Sequence, residues 1–196
     1  MQAATIGVAV DTSGLAAGTY HLDLQLIDGD GAVNNTATFS SFSWAGLTPG
    51  ALSLTGTATG SAATSIVLTD ADPSPDPFTS ALQDFTTAGG ASGLAFVLSY
   101  SENFAGGFPD GLSVGILDVN FATLATLVID LDAPPVLTST SGNGVTVTAS
   151  SVPEPGLAWL TAAGGLGLAW RGRRRQLMRR PDTGAPARQE QNSQAA

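Results

Sequence analysis

The sequence predicts an all-β protein: an antiparallel β-sandwich, jelly-roll-like, followed by a single short C-terminal transmembrane helix. Three observations carry this expectation. Apolar and polar residues alternate with period two in short runs along residues 1–148. Turn-forming clusters separate those runs, in a chain with 24 Gly and 11 Pro. No long stretch has the helical period that the crossovers of a parallel sheet would need.

The elements follow in order. Thr5–Val10 reads as a first strand. Thr19–Ile27 puts Tyr20, Leu22, Leu24 and Leu26 on one face and Thr19, His21, Asp23 and Gln25 on the other, as in a half-buried antiparallel strand. Asp28-Gly-Asp-Gly31 closes it with turn chemistry. Strands are expected at residues 36–44, 52–55 and 65–68. Residues 70–77, Asp-Ala-Asp-Pro-Ser-Pro-Asp-Pro, read as a loop, because Pro removes backbone donors and discourages strand pairing. Residues 80–85 fit either a short strand or one helical turn. Residues 94–100, 112–117 and 124–131 are further strands, and 136–140 and 145–148 flank a hairpin turn at Ser141-Gly-Asn-Gly144. About nine or ten short, closely spaced strands suggest a sandwich.

Charge divides the chain. All 7 positive side chains are Arg, and the first is Arg171. Of the 16 acidic residues, all but Asp182 and Glu190 precede Gly156. An acidic front half repels phosphate backbones, so no nucleic-acid partner is expected. An Arg cluster directly after an apolar segment is more simply a topology anchor, held on the cytoplasmic side. Cysteine is absent, which excludes disulfides, thiolate metal sites and a Cys nucleophile. Met1–Val10 has neither a basic region nor an apolar run of signal-peptide length, although export is expected; either the true start lies upstream of Met1 or the segment was lost, and the first is favoured because the domain begins at once.

The domain organisation expected is a sandwich over 1–148, a linker over 149–155, a transmembrane helix over 156–170, a basic cytoplasmic anchor over 171–180 and a disordered tail over 181–196. Gly156–Trp170 carries no charge. As a helix it would span about 22 Å at about 1.5 Å per residue, against a hydrocarbon core of roughly 30 Å. Arg171 and its neighbours can snorkel and the bilayer can thin locally. Trp159 and Trp170 suit the two interfaces.

Val152-Pro153-Glu154-Pro155, the apolar segment and the cluster Arg171, Arg173, Arg174 and Arg175 together resemble the PEP-CTERM sorting signal of Gram-negative bacteria. The resemblance covers residues 152–175. It implies that Val152, Pro153, Glu154 and Pro155 are the motif recognised by exosortase, a membrane-embedded enzyme with a Cys nucleophile. Trp159, Trp170 and the four Arg residues would then be the membrane anchor. It further implies transit through the inner membrane and delivery to the cell surface or extracellular matrix. Val10-Asp-Thr-Ser-Gly-Leu-Ala-Ala-Gly18 is similar, more loosely, to the opening of a β-rich group of such proteins with no assigned activity.

No catalytic site is expected. His21 is the only histidine, lies on the polar face of its strand and is expected to face solvent; no Gly-x-Ser-x-Gly elbow accompanies it. Zinc would need further nitrogen or sulfur ligands. Asp28 and Asp30, and Asp70, Asp72 and Asp76, place carboxylates at spacings that suit Ca²⁺, but neither run completes an EF-hand loop. The favoured expectation is turn-forming Asp with solvated charge and no cofactor, with Ca²⁺ as the alternative. Glu102 and Asp110 stand in a Gly-rich loop without a distinguishing pattern. Phe104, Phe108 and Trp44 are candidates for a sugar-stacking platform, although Trp44, on a strand, fits core packing better. The function expected is an exported surface or matrix protein with a structural or interaction role in the extracellular polymer layer. A carbohydrate- or calcium-binding sandwich is the alternative. The partners expected are exosortase, the membrane and extracellular polysaccharide.

Overall fold

A computed structural model describes residues 2–70, 78–103, 106–131 and 136–151. Contacts divide the chain into a unit of Met1–Val152 and a second unit of Pro153–Ala196. Val152 and the whole second unit, and so the sorting motif Val152–Pro155 and the anchor residues from Trp159 to Arg175, lie outside the described residues, as do Asp72, Asp76 and Phe104.

Among the described residues there are only strands, turns and loops. In chain order the strands are β1 (Gln2–Asp11), β2 (Gly18–Ile27), β3 (Thr36–Ala45), β4 (Leu47–Thr55), β5 (Thr59–Gly60) and β6 (Ser65–Thr69). They continue with β7 (Phe78–Thr87), β8 (Gly93–Glu102), β9 (Gly111–Leu117), β10 (Thr123–Asp130), β11 (Val136–Thr140) and β12 (Thr146–Ser151). Two six-stranded antiparallel sheets result, ordered β12-β1-β8-β3-β6-β5 and β11-β10-β9-β2-β7-β4. The pairing is nested: β1 with β8, β2 with β7 and β3 with β6, as in a long hairpin rolled up on itself.

The inward faces meet in one core. Phe39, Ile66 and Leu98 come from the first sheet, and Leu22, Leu24, Leu26, Phe85, Leu112, Ile116 and Leu127 from the second, all fully buried. Each such side chain stabilises the fold by about 1.5–3 kcal/mol relative to exposure. The expected strands lie within the observed ones, except that 124–131 runs one residue past the end of β10 and 145–148 starts one residue before β12. Residues 80–85 are resolved as part of a full strand, β7. Its inward positions include Thr79 and Gln83 as well as Ala81 and Phe85, so polar residues blur the alternation. Leu52–Thr55 extends back to Leu47 through Pro49, which is tolerated because β4 is an edge strand. The two-residue β5 carries no periodic signal and was not expected.

A bulge in β3 sets part of the core. The register with β8 shifts between Ser40 and Ser43, and Ser41 has φ 57°. If every residue here paired regularly, the alternation that buries Ala37 and Phe39 would turn Phe42 and Trp44 outward; the bulge absorbs the extra residue. Instead Phe42 packs 5.4 Å from Phe96, and Trp44 packs 6.1 Å from Phe85, ring centroid to ring centroid.

Candidate functional site: a carboxylate cluster at one end of the sandwich

Antiparallel pairing brings several strand ends together. Ile27 at the end of β2 faces Gly111 at the start of β9, which sets Asp28 beside Asp110. Thr36 at the start of β3 faces Thr69 at the end of β6, which sets Asn35 beside Asp70. Residues 28–35 carry the chain from the second sheet to the first, so this crossover holds Asp28, Asp30, Asn34 and Asn35 between the two layers.

One carboxylate oxygen from each of Asp28, Asp30 and Asp110 lies within 4.8 Å of the others. Asp110 is 1 % exposed. Its Oδ1 accepts the backbone N–H of Gly29 at 2.8 Å and of Asp30 at 3.2 Å, and its Oδ2 accepts Asn35 Nδ2 at 2.6 Å. Gly29 is required where the crossover presses on the preceding loop, because a Cβ there would collide with the Pro109 carbonyl oxygen. Asp28 is 7 % exposed; its Oδ1 accepts Gly31 N–H at 2.6 Å and its Oδ2 meets no donor. Asp30 Oδ1 accepts Ala32 N–H at 2.8 Å, and its Oδ2 accepts Asn34 Nδ2 at 3.3 Å.

Asp70 completes the group at 2 % exposure. Its Oδ2 accepts the amides of Asn35 and Asn34, while its Oδ1 is buried without a partner, as is Asn34 Oδ1. Loss of water raises the Asp70 carboxyl from 3.8 to about 7, and the charges of Asp110 and Asp28 push the same way against the two Asn amides. Asn35, fully buried, is the hub. Its Nδ2 donates to Asp110 and to the Asn103 carbonyl at 2.7 Å, and its Oδ1 accepts Ser101 Oγ and Asn103 N–H, both at 3.0 Å.

The solvated-charge reading of these Asp residues is therefore corrected: Asp28 and Asp70 are buried by the crossover and its neighbours. Asp110, Asn34, Asn35 and Asn103 were missed. A signal for them existed in the polar residues that directly follow or precede strands, as in Ile27-Asp28, Asn35-Thr36, Thr69-Asp70 and Asp110-Gly111. Antiparallel pairing puts all of these at the same end.

His21 is also corrected. It is 8 % exposed, with Nδ1 2.8 Å from Asp84 Oδ1. Phe121, at φ 62°, stacks on its ring at 4.7 Å. Its Nε2 is buried without a partner, so no hydroxyl is placed there as a nucleophile. Of the platform residues, Phe108 and Trp44 are not brought together: Phe108 is 80 % exposed, while Trp44 lines a cleft of about 450 Å³ with Phe42, Pro49, Leu52 and Gln83. The Gln83 amide nitrogen already donates to the carbonyls of Gly50, Ala51 and Asp84, which leaves that cleft poor in polar groups aimed at a sugar.

No family model, curated protein or solved structure matches this chain.

Proposed function

We propose that this chain is an exported protein of a Gram-negative surface or extracellular matrix, sorted by its C-terminal segment, with a structural or interaction role in the polymer layer. The observation that carries the reading is the ordered run Val152-Pro-Glu-Pro155, the uncharged Gly156–Trp170, and Arg171 to Arg175. In this reading Gly156–Trp170 is the transmembrane helix and exosortase processes the chain near the motif. The front unit is consistent with such a role: a rolled-up, jelly-roll-like sandwich without a Lys, Arg or Cys, soluble through its acidic surface.

The test is the intact mass and cell fraction of the mature protein in its native host. A surface or medium form lacking everything from about Pro155 onward is the expected result. Full-length protein held in the inner membrane would overturn processing by exosortase and leave the segment as a simple anchor.

A further inference from the structure

We infer that Asp28, Asp30 and Asp110 form a Ca²⁺ site that clamps the crossover between the two sheets. Two independent observations meet here. The three carboxylates converge within 4.8 Å. The Oδ2 of Asp28, on a residue more than nine-tenths buried, has no donor. A buried acceptor without a partner costs about 1–3 kcal/mol, and more when charged, so such an atom marks the place of a missing partner. Asp70 Oδ1 and Asn34 Oδ1 are further unpartnered oxygens of the same network.

The missing partner is a cation. The first Arg of the chain is Arg171 and there is no Lys, so no such side chain within the described residues can partner Asp28 Oδ2. His21 is engaged with Asp84. The donor set is all oxygen, without thiolate or imidazole, which selects a hard ion. Ca²⁺ accepts about 6–8 oxygens at about 2.3–2.6 Å in flexible geometry, as a curved loop supplies them, whereas Mg²⁺ demands a near-ideal octahedron and keeps its waters. The ligands sit on the crossover, with Asp28 directly after β2, and directly before β9, so an ion there fixes the path of the chain from one sheet to the other. This site stands apart from the sorting reading, and either can fail without the other.

The experiment is calorimetric titration of the chelator-treated full-length chain with CaCl₂ in about 0.15 M salt, which screens diffuse surface binding. One saturable site with Kd of about 10⁻⁵–10⁻³ M is expected. The melting temperature should rise by about 5–10 °C at a hundredfold excess over Kd. Asp28→Asn should abolish both effects. Without calcium it should melt at or above the wild type, because one of the like charges is gone and Gly31 N–H keeps an acceptor. Asp30→Asn, at a half-exposed position, covers the case that the first variant does not fold, and should weaken binding at least tenfold. Absence of saturable heat up to about 10 mM, an undiminished response in both variants, or an equal response to Mg²⁺ would each overturn the site.

Discussion

Asp70 and Asn35 are bonded to each other twice: the Asn35 amide donates to Asp70 Oδ2 at 2.6 Å, and the Asp70 amide donates to the Asn35 carbonyl at 3.0 Å. This reciprocal pair extends the β3–β6 ladder by one step beyond Thr36 and Thr69. It also fixes where Asp70 points its second oxygen, which is buried and unpartnered. The placement of the Asp70 carboxylate in the acidic cluster thus follows from backbone geometry that the sheet itself dictates.

That placement makes stability depend on pH in a direction opposite to the usual paired carboxylate. The Asp70 carboxyl is raised from 3.8 to about 7 in the folded chain, so the folded state holds the extra proton between those values. Its contribution is fully present below about pH 4 and is lost as pH rises through about 7. In chelator the melting temperature should therefore fall between about pH 4.5 and 8. Burial raises Asp23 in the same direction, so the comparison that assigns the slope is Asp70→Asn, which should flatten it. A slope unchanged in that variant would remove Asp70 as its source.

Asn35→Ala should be costly. It leaves Ser101 Oγ, Asn103 N–H and Asp110 Oδ2 without the partner they share, at a fully buried position. A loss of about 2–4 kcal/mol is expected, read as a lower midpoint in urea with unchanged slope. A change below about 0.5 kcal/mol, the range of ordinary surface substitutions, would mean that the network does not organise this end of the sandwich.

The bulge in β3 offers a test of how the aromatic side of the core is specified. Deleting Ser41 removes the extra residue, so Phe42 and Trp44 stay on the inward face in strict alternation with Phe39 and the register with β8 is kept. The deletion should therefore fold, at a cost of no more than about 1–2 kcal/mol. Ser41→Gly keeps the extra residue and suits φ 57°, so it should stay within about 1 kcal/mol of the wild type. Thermal melts of both variants check this, and a loss of about 3–5 kcal/mol on deletion, comparable to losing a buried aromatic, would show that Ser41 is not a single extra residue in the ladder.

That bulge marks the limit of what period two could convey. The strands of residues 19–27 and 94–100 were legible because their inward positions are apolar throughout, as Leu22, Leu24 and Leu26 illustrate. In β3 the spacing from Phe39 to Phe42 breaks the alternation, and only the paired strand shows that Ser41 absorbs the extra step. In β7 the inward Gln83 hides the pattern, since its burial depends on carbonyls of β4 that sequence spacing cannot place. The site was legible in half: Asp28, Asp30 and Asp70 stood out as loop carboxylates, but Asp110 is 80 residues or more from Gly29 and Asp30, and joins them only through the β2–β9 pairing. The same distance in sequence is why solvated turns were expected where burial is found.

The sorting reading makes its own prediction, at a residue far from the carboxylate cluster in sequence. Glu154 is the only charge between Val152 and Trp170. If a membrane-embedded enzyme recognises the motif, that carboxylate, flanked by two Pro residues with fixed φ, is the group with a defined charge and position to be read. Glu154→Ala leaves the apolar segment and Arg171 to Arg175 intact, so insertion and orientation should be preserved while recognition is lost. The variant should accumulate in the inner-membrane fraction with its C-terminal tail attached, by intact mass, while the wild type is released without it. Changing Arg171, Arg173, Arg174 and Arg175 to Ala should act differently, loosening retention before processing. Normal release of Glu154→Ala would sink the assignment of an exosortase substrate while leaving the calcium site to stand or fall on its own titration.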